Sequence, residues 1–465
     1  MKQRSLLLLA LSLVLLQSCL GAPQVTEPAP NPNGQTAAPP TDALPSSTPQ
    51  PTPLPSHLAQ LRVAYILEGN VWVWDASTGA RQLTSEGTAW HVKISDDGQV
   101  IAYQQSGSHS FDAVPAEDLG SSLWAVNADG SNPRKLVSII SYLTGILPTG
   151  GLGSEIGLYQ FGFQPHSHWL YFNSHWLAGE SFIPANDLHR VNADLPVPEA
   201  LLTSGGGEFD YSLDGRLVSL ASMGSINVIN ADGSVFSHNP PENGLMPAVS
   251  YNPLFFNPIT YKPQIVWLSN ATGFYTVIPF QNGSCSQYLT SNSSIESSKK
   301  SCLVYVAADG SAFAQLAEFP AAWSETGQPF ISPDGTKVAY AVKNNSTYEL
   351  HVIDSATIDT IIASYENPPM FELYGWSPDS KRIVFFISDR LFPFAAGIGL
   401  PPTPLTESAA PNSLRWLDAE RFLFFREGRL LVGQVGTSAT FEIAPGFEKY
   451  MDNINFYDFA LWPSP

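Results

Sequence analysis

The chain has 465 residues, 44% of them hydrophobic and only 14% charged, so it is long and apolar enough to bury a large core. Its 35 glycines and 39 prolines suit many short strands joined by turns. The formal net charge of −19 argues against nucleic acid as a partner, and against anionic lipid bound by the folded domain itself.

The N-terminus has the features of a secretory signal. A basic start precedes an apolar run over residues 6–16, which is too short to span a bilayer as a mature helix. The residues that follow, Gln-Ser-Cys, complete a resemblance to the bacterial lipobox, whose cysteine is lipidated. We expect a signal peptide over residues 1–18, a lipid anchor on Cys19, and export to the cell surface or periplasmic face. An ordinary signal peptide with a chance cysteine is the alternative.

Residues 19–60 differ in composition from the rest of the chain. Eleven prolines lie between residues 21 and 55, with Thr, Ser, Ala and Gln among them and few charges. No apolar periodicity is present to drive packing, so this stretch is expected to be a disordered tether. At about 3.1 Å per residue in polyproline geometry, it would hold a folded domain of residues 61–465 well away from the membrane.

A recurring pattern organises that folded domain. Residues 328–342 (QPFISPDGTKVAYAV) contain two apolar runs separated by Pro-Asp-Gly-Thr, which is typical of two strands joined by a tight turn. The pattern returns at residues 92–103, 161–172, 209–220, 266–277, 374–386 and 414–425. Seven copies indicate an internal repeat.

A second hairpin follows most copies, with Ala-Asp-Gly at its turn, at residues 123–136, 226–237 and 303–316. Four strands per repeat and a spacing of about 40 to 70 residues suit the blades of an all-β propeller. Residues 61–84 lack an inner strand, which the apolar C-terminal strand at residues 455–462 would supply, closing the ring. We therefore predict eight blades. Seven is the alternative, because the copies at residues 161–172 and 266–277 are the weakest.

The turns Ser-Pro-Asp-Gly at residues 332–335 and Ser-Pro-Asp at residues 377–379 resemble those of TolB-like, WD-repeat-like propellers of bacterial envelope proteins. The Asn-Ala-Asp-Gly turns further on fit the same family, and the resemblance covers about residues 61–462. It implies a propeller fold. It does not imply one function, because such propellers serve as protein-docking platforms, ligand sensors and accessory domains of hydrolases.

Long insertions are predicted between second and third strands at residues 105–121, 173–185 and 281–301, and between blades at residues 138–156, 239–262 and 320–327. Because successive strands of a blade run in opposite directions, both kinds of connection lie on the same face of the disc, here called the elaborated face. Binding residues are expected there. The candidate binding residues are Phe111, Tyr142, Trp176, Phe182, Tyr251, Phe255, Phe256, Tyr261 and Trp323. An exposed aromatic patch would mark a protein or ligand site. The alternative is that these side chains pack together and cap the central channel.

Only Cys285 and Cys302 remain after Cys19, and they flank an insertion rich in Ser and Asn. In an exported protein they are expected to form a disulfide, which is worth about 3 kcal/mol in the loop-entropy model. Two free thiols are the alternative.

The search for catalytic chemistry is negative. The sequence has no Gly-x-Ser-x-Gly, His-Glu-x-x-His, Cys-x-x-Cys, P-loop or Gly-x-Gly-x-x-Gly motif. The histidines at positions 166, 168, 175 and 189 form one metal-like cluster, but the first falls at a turn position, so turn residues are expected there. The Asp-Gly turns lack the ligand density of a calcium loop. We predict no metal, no cofactor and no catalytic residue.

The predicted function is a lipid-anchored, monomeric, extracytoplasmic propeller that binds an unknown envelope protein or a glycan. The alternative is a propeller enzyme acting on polysaccharide, a lyase or glycosidase, with carboxylates, His and Arg converging from inner strands on the channel. A quinone-binding redox propeller is a further alternative. It is indicated only by Asp-Ala-Ser-Thr-Gly at residues 75–79. The motif occurs once in this sequence, whereas such a family repeats it in every blade.

Overall fold

The hydrogen bonds of the recurring turn explain why it appears in so many copies. The Ser332 hydroxyl donates to Asp334 Oδ1 at 2.6 Å and accepts the Lys337 N–H at 3.0 Å. The Thr336 N–H also donates to Asp334 Oδ1, at 3.0 Å. Gly335 closes the turn at φ +70°, a conformation that favours glycine. A short local sequence therefore satisfies the polar groups of the hairpin that opens a blade.

The computed structural model describes residues 58–461 except 106–121, 139–154, 179–180, 184–186, 196–198, 204–206, 223–224, 235, 237–246, 251–262, 281–299, 321–326, 369–370, 388–392, 407–412 and 448–453. The described strands pair antiparallel into eight sheets. No helix in these ranges is long and apolar enough to cross a membrane.

The first four blades follow one another along the chain, each beginning at its innermost strand. Blade 1 consists of β33 (Tyr457–Leu461), β1 (Leu61–Leu67), β2 (Asn70–Asp75) and β3 (Gly79–Gln82). Blade 2 consists of β4 (Ala89–Ile94), β5 (Val100–Gln105), β6 (Ser122–Asn127) and β7 (Arg134–Ser138). Blade 3 consists of β8 (Glu155–Phe163), β9 (Trp169–Ala178), β11 (Leu188–Asn192) and β12 (Ala200–Thr203), with the additional β10 (Ser181–Ile183) beside β9. Blade 4 consists of β13 (Glu208–Tyr211), β14 (Leu217–Ser222), β15 (Ser225–Asn230) and β16 (Pro247–Ser250).

The other four blades repeat this order. Blade 5 consists of β17 (Ile265–Trp267), β18 (Gly273–Phe280), β19 (Lys300–Ala307) and β20 (Phe313–Phe319). Blade 6 consists of β21 (Phe330–Ile331), β22 (Lys337–Asn344), β23 (Thr347–Asp354) and β24 (Asp359–Glu366). Blade 7 consists of β25 (Glu372–Trp376), β26 (Ile383–Phe386), β27 (Pro393–Gly397) and β28 (Leu400–Pro404). Blade 8 consists of β29 (Arg415–Trp416), β30 (Arg421–Arg426), β31 (Arg429–Gln434) and β32 (Thr440–Pro445), and a 3₁₀ helix at Ile454–Phe456 leads into β33.

The C-terminal strand closes the ring as predicted. β33 pairs antiparallel with β1, from Leu61 opposite Leu461 to Tyr65 opposite Tyr457. Eight blades are therefore confirmed, and the seven-blade alternative is wrong. The weak copies at residues 161–172 and 266–277 form the inner hairpins of blades 3 and 5.

Apolar clusters between neighbouring blades hold the ring together. One cluster spans blades 8, 1 and 2 and includes Phe425, Tyr457, Tyr65 and Val92, each 3% exposed or less. The Phe425 and Tyr457 rings meet edge to face at 5.3 Å. Burial of such a side chain is worth about 1.5–3 kcal/mol, so each interface contributes through a few large residues.

One predicted insertion is placed differently by the structure. Residues 239–262 were expected to connect two blades, but β16 (Pro247–Ser250) lies within this range as the outer strand of blade 4. The long segment 231–246 therefore joins a third strand to a fourth strand, on the face opposite the elaborated face, here called the turn face. The outer strand was missed because its ladder with β15 shifts register between Ile226 and Asn227 and its short sequence has no flanking Asp-Gly turn.

We predict that Ser332→Ala lowers the free energy of unfolding by about 1–2 kcal/mol, because the fully buried Ser332 hydroxyl is a partner of both the Lys337 N–H and the Asp334 carboxylate. The control is Ser364→Ala, at an exposed position on the outer strand β24, expected to cost less than about 0.5 kcal/mol. Urea unfolding of the full chain measures both. Equal effects of the two variants would contradict a structural role for the turn hydroxyl.

Candidate functional site

Most of the predicted site residues lie outside the described part of the chain. This applies to Cys19, Cys285, Phe111, Tyr142, Tyr251, Phe255, Phe256, Tyr261 and Trp323. The disulfide therefore remains a prediction, and its second cysteine, Cys302, is fully buried on β19. Trp176 and Phe182 lie on the described strands β9 and β10.

Blade 3 extends beyond the usual blade on the elaborated face. β9 continues past its pairing with β11, and its last residues pair with β8 on one side and β10 on the other. Trp176 lies opposite Ile156 of β8 and Ile183 of β10, while Phe182 lies opposite Leu177. Two candidate residues from different strands are thus brought into one three-stranded extension of the elaborated face.

The inner strands of blades 8, 1 and 2 bring three charged residues together beside the central channel. Arg415 Nη1 on β29 pairs with Asp458 Oδ1 on β33 at 2.8 Å, and the Ile94 N–H donates to Asp458 Oδ2 at 3.0 Å. Burial lowers the pKa of Lys93 on β4, opposed by the nearby Asp458 charge. The Asp458 carboxylate therefore has a structural role, because its ion pair and its hydrogen bond together join the three blades.

Two other titratable groups on inner strands have shifted pKa values. Burial, with a contribution from Lys93, lowers the pKa of His91 to about 3, so its imidazole is neutral at physiological pH. Dense surrounding protein raises the pKa of Asp210 to about 6, although its side chain is accessible to water. An accessible carboxyl group that titrates near neutrality is the kind of group that proton transfer requires.

A histidine joins blades 2 and 3 on the turn face. His168, in the turn before β9, places Nδ1 2.6 Å from Asp194 Oδ2 and Nε2 3.1 Å from Asp97 Oδ2. Arg134 Nη2 lies 3.5 Å from Asp194 Oδ1, which extends the network to β7. Burial opposes protonation of His168, but its hydrogen bonds to the two carboxylates outweigh burial and raise its pKa.

Two other histidines of the predicted cluster differ in position: His166 lies at the edge of this network, and His189 lies apart from it. His166 has φ +59° in the same turn, which confirms its prediction as a turn residue, and its Nδ1 lies 3.0 Å from Asp96 Oδ2. His189 on β11 is buried and stacks on Phe172 at 5.1 Å. Within the described ranges, no three His, Cys, Asp or Glu residues are grouped so that they could hold a metal ion.

A second ion network on the turn face joins blades 1 and 2. Asp75 lies 3.7 Å from Arg62 and 3.6 Å from Arg81, and it accepts hydrogen bonds from the N–H groups of Ser77 and Thr78. The Arg81 guanidinium donates to the Ala128 carbonyl of blade 2. The single Asp-Ala-Ser-Thr-Gly motif is thus a hairpin turn with ion pairs inside blade 1, and Arg81 links it to blade 2 by a hydrogen bond.

The two networks line neighbouring cavities of about 390 and 480 Å³ on the turn face. Both cavities are bounded by His168 and Asp194. Sequence reasoning missed this polar groove because its residues come from three blades. A signal was present, since Asp-Asp at residues 96–97 and His-Ser-His at residues 166–168 occupy corresponding turns of consecutive repeats.

The comparisons with known proteins concern the fold. No protein-family model matches the chain, and no curated protein matches it. Among solved structures it is similar to oligogalacturonate lyase from Vibrio parahaemolyticus, with 13% identity and a TM-score of 0.41 over 71% of this chain and 83% of the other. A structure of the eukaryotic initiation factor shows 12% identity and a TM-score of 0.45 over 83% and 96% of the two chains.

TolB from Acinetobacter baumannii is also among the matched structures, with 13% identity and a TM-score of 0.27 over 64% of this chain and 62% of the other. The propeller fold that the resemblance to TolB-like proteins implies is confirmed by the eight sheets of the structure itself. At these identities, the likeness does not extend to substrate or partner.

We predict that protonated His168 stabilises the protein, so that its own contribution to the free energy of unfolding is larger at pH 6 than at pH 8. Because its folded-state pKa is raised, this contribution is present below the ordinary value of about 6.5 and is lost as pH rises through the folded-state pKa. The carboxylates are 42% and 48% exposed, so the effect should be about 1 kcal/mol or less.

Urea unfolding measures the free energy of unfolding at both pH values. The value at pH 6 minus the value at pH 8 should be lower in His168→Asn than in the wild-type protein, because the stabilising contribution of His168 at pH 6 is lost. The matched control is His166→Asn, whose side chain is 71% exposed, and it should keep the wild-type difference. An unchanged pH difference in His168→Asn would rule out this histidine as the stabilising group.

Proposed function

We propose that this protein is a lipid-anchored, extracytoplasmic binding module whose elaborated face docks an envelope protein or a glycan. One observation carries the proposal. The long connections at residues 106–121, 139–154, 251–264 and 281–299 all leave the sheets at the elaborated face, where blade 3 also extends as three strands. Insertions on one side of a rigid scaffold are the usual way in which a propeller gains a binding surface.

The chemistry of the channel supports binding over catalysis. Its clustered carboxylate, Asp458, is held by the Arg415 ion pair and the Ile94 N–H across three blades, with Lys93 nearby. A catalytic carboxylate must instead be available to a substrate within hydrogen-bond reach. The polar groups of the turn face are likewise held by hydrogen bonds between neighbouring turns.

The membrane attachment is proposed from the sequence of residues 1–60. The apolar run, the lipobox-like residues before Cys19 and the proline-rich tether together suit an acylated N-terminus that holds the propeller away from a membrane. Cys19→Ala should abolish incorporation of a labelled fatty acid into the protein expressed in a bacterium. Labelling that persists in this variant would contradict the anchor, and Cys285→Ala serves as the control that keeps it.

The docking proposal is tested with the full chain as bait in envelope extract. Replacement of residues 139–154 by a Gly/Ser linker of equal length should reduce the captured partner at least tenfold, because it removes part of the elaborated face. The matched control replaces residues 237–246, in the long connection on the turn face, by a Gly/Ser linker of equal length, which leaves the turn at residues 231–234 intact. It should leave capture unchanged.

The comparison between the two replacements decides the result. Equal loss in both would indicate damage to the propeller and contradict a site on the elaborated face. Equal capture by both would show that the partner binds elsewhere. A glycan array probed with the same three proteins applies this test to carbohydrate.

A propeller enzyme acting on polysaccharide is the second candidate, and Asp210 is the observation that favours it. This water-accessible carboxyl group on an inner strand, with its pKa near 6, could accept a proton at neutral pH. Depolymerisation of an acidic polysaccharide by the wild-type chain and its loss in Asp210→Asn would favour the enzyme. Absence of depolymerisation by the wild-type chain would set this candidate aside.

A further inference from the structure

A cleft of about 740 Å³ opens between blades 7 and 8 and belongs to neither the elaborated-face extension nor the turn-face groove. Its walls come from β27, β28 and the residues after it in blade 7, and from β30, β31 and the turn before β32 in blade 8. The lining residues are Phe394, Thr403, Pro404, Leu405, Thr406, Phe424, Arg426, Gly433 and residues 436–440. The volume is within the range of small-molecule sites, about 300–1,000 Å³.

The floor of the cleft continues the apolar interface between the two blades. Leu405 and Phe424 belong to the buried cluster that joins blades 7 and 8, and Phe394 is half-buried beside them. Gly433 lies opposite Phe422 in the β30–β31 ladder, and a Cβ at this position would lie 2.8 Å from ring atoms of Phe422. The absence of a side chain at Gly433 therefore lets the Phe422 ring pack against the backbone of this wall.

Arg426 provides a positive charge at this apolar floor. Its Nη1 donates to the Thr406 hydroxyl at 3.3 Å, and its guanidinium carbon lies 5.8 Å from the centre of the Phe424 ring. Among the described residues, no carboxylate forms an ion pair with Arg426. By contrast, the nearby Arg429 pairs with Glu442 at 3.2 Å, outside the cleft.

We propose that the cleft between blades 7 and 8 binds a small amphipathic anion, a hydrophobic ring system that carries one carboxylate or sulfonate. The ring would cover the floor formed by Phe394 and Leu405, and the acid would meet the Arg426 guanidinium, which presents several N–H donors. The hydroxyl groups of Thr403, Thr437 and Thr440 border the rest of the same space. This site is independent of docking at the elaborated face.

The probe for this site is 8-anilinonaphthalene-1-sulfonate, whose fluorescence rises in an apolar site, titrated into the full-length protein. We expect saturable binding of one molecule per chain. Arg426→Gln should weaken it about tenfold, which is the size expected when a charge-assisted hydrogen bond is lost. Arg429→Gln, an arginine on the adjoining strand outside the cleft, is the matched control and should bind as the wild type does.

Two further measurements distinguish binding at a specific site from nonspecific hydrophobic binding of the probe. N-phenyl-1-naphthylamine, the same ring system without the sulfonate, should bind the wild type about as weakly as the sulfonate binds Arg426→Gln. Ser438→Trp, at an exposed position of the turn that borders the cleft, should fill the space and abolish binding while leaving the fold intact by circular dichroism. Unchanged binding in Ser438→Trp, or equal weakening by Arg426→Gln and Arg429→Gln, would overturn the proposal.

Discussion

The antiparallel pairing of β33 with β1 is the constraint on which the rest of the molecule depends. It gives blade 1 its inner strand and removes the free edge that would otherwise face the channel. It also supplies Tyr457 to the cluster that joins blades 8, 1 and 2, and Asp458 to the ion pair with Arg415. With this strand in place every blade has two neighbours, so the apolar face of each sheet is covered.

The elements of this architecture that could be predicted are those with a signature in their own local sequence. A turn such as Ser332 to Gly335 is recognisable because its hydrogen bonds lie within a few residues of one another. The inner hairpins and the closing strand could therefore be predicted from the sequence. β16 could not, because an outer strand is defined by what it pairs with and its four residues carry no local signature.

The candidate sites were harder to predict for the same physical reason. His168 meets Asp97 across a separation of 71 residues, and Arg415 meets Asp458 across 43. Such contacts can be predicted only when it is known which turns and strands lie side by side. The aromatic residues of the elaborated face were recognisable by composition, and Trp176 and Phe182 lie on the neighbouring strands β9 and β10.

The two faces of the disc have different roles: one carries contacts between blades, and the other carries the long connections. On the turn face, short connections make polar contacts from one blade to the next, such as the His168–Asp97 pair and the Arg81 hydrogen bond to the Ala128 carbonyl. On the elaborated face, the chain gains length without disturbing these contacts. Because the interblade contacts of His168 and Arg81 lie opposite the insertions, a loop on the elaborated face can change while these contacts keep their geometry.

Ring closure also determines when folding can finish. β1 forms its outer ladder with β2 as soon as residues 61–75 are available, but its inner edge has no partner until residues 457–461 have been synthesised. A contact between such distant parts of the chain closes late and slowly. Blade 1 is therefore among the first segments made and the last to be completed. Until then its open edge is the part of the nascent protein most in need of protection from other chains.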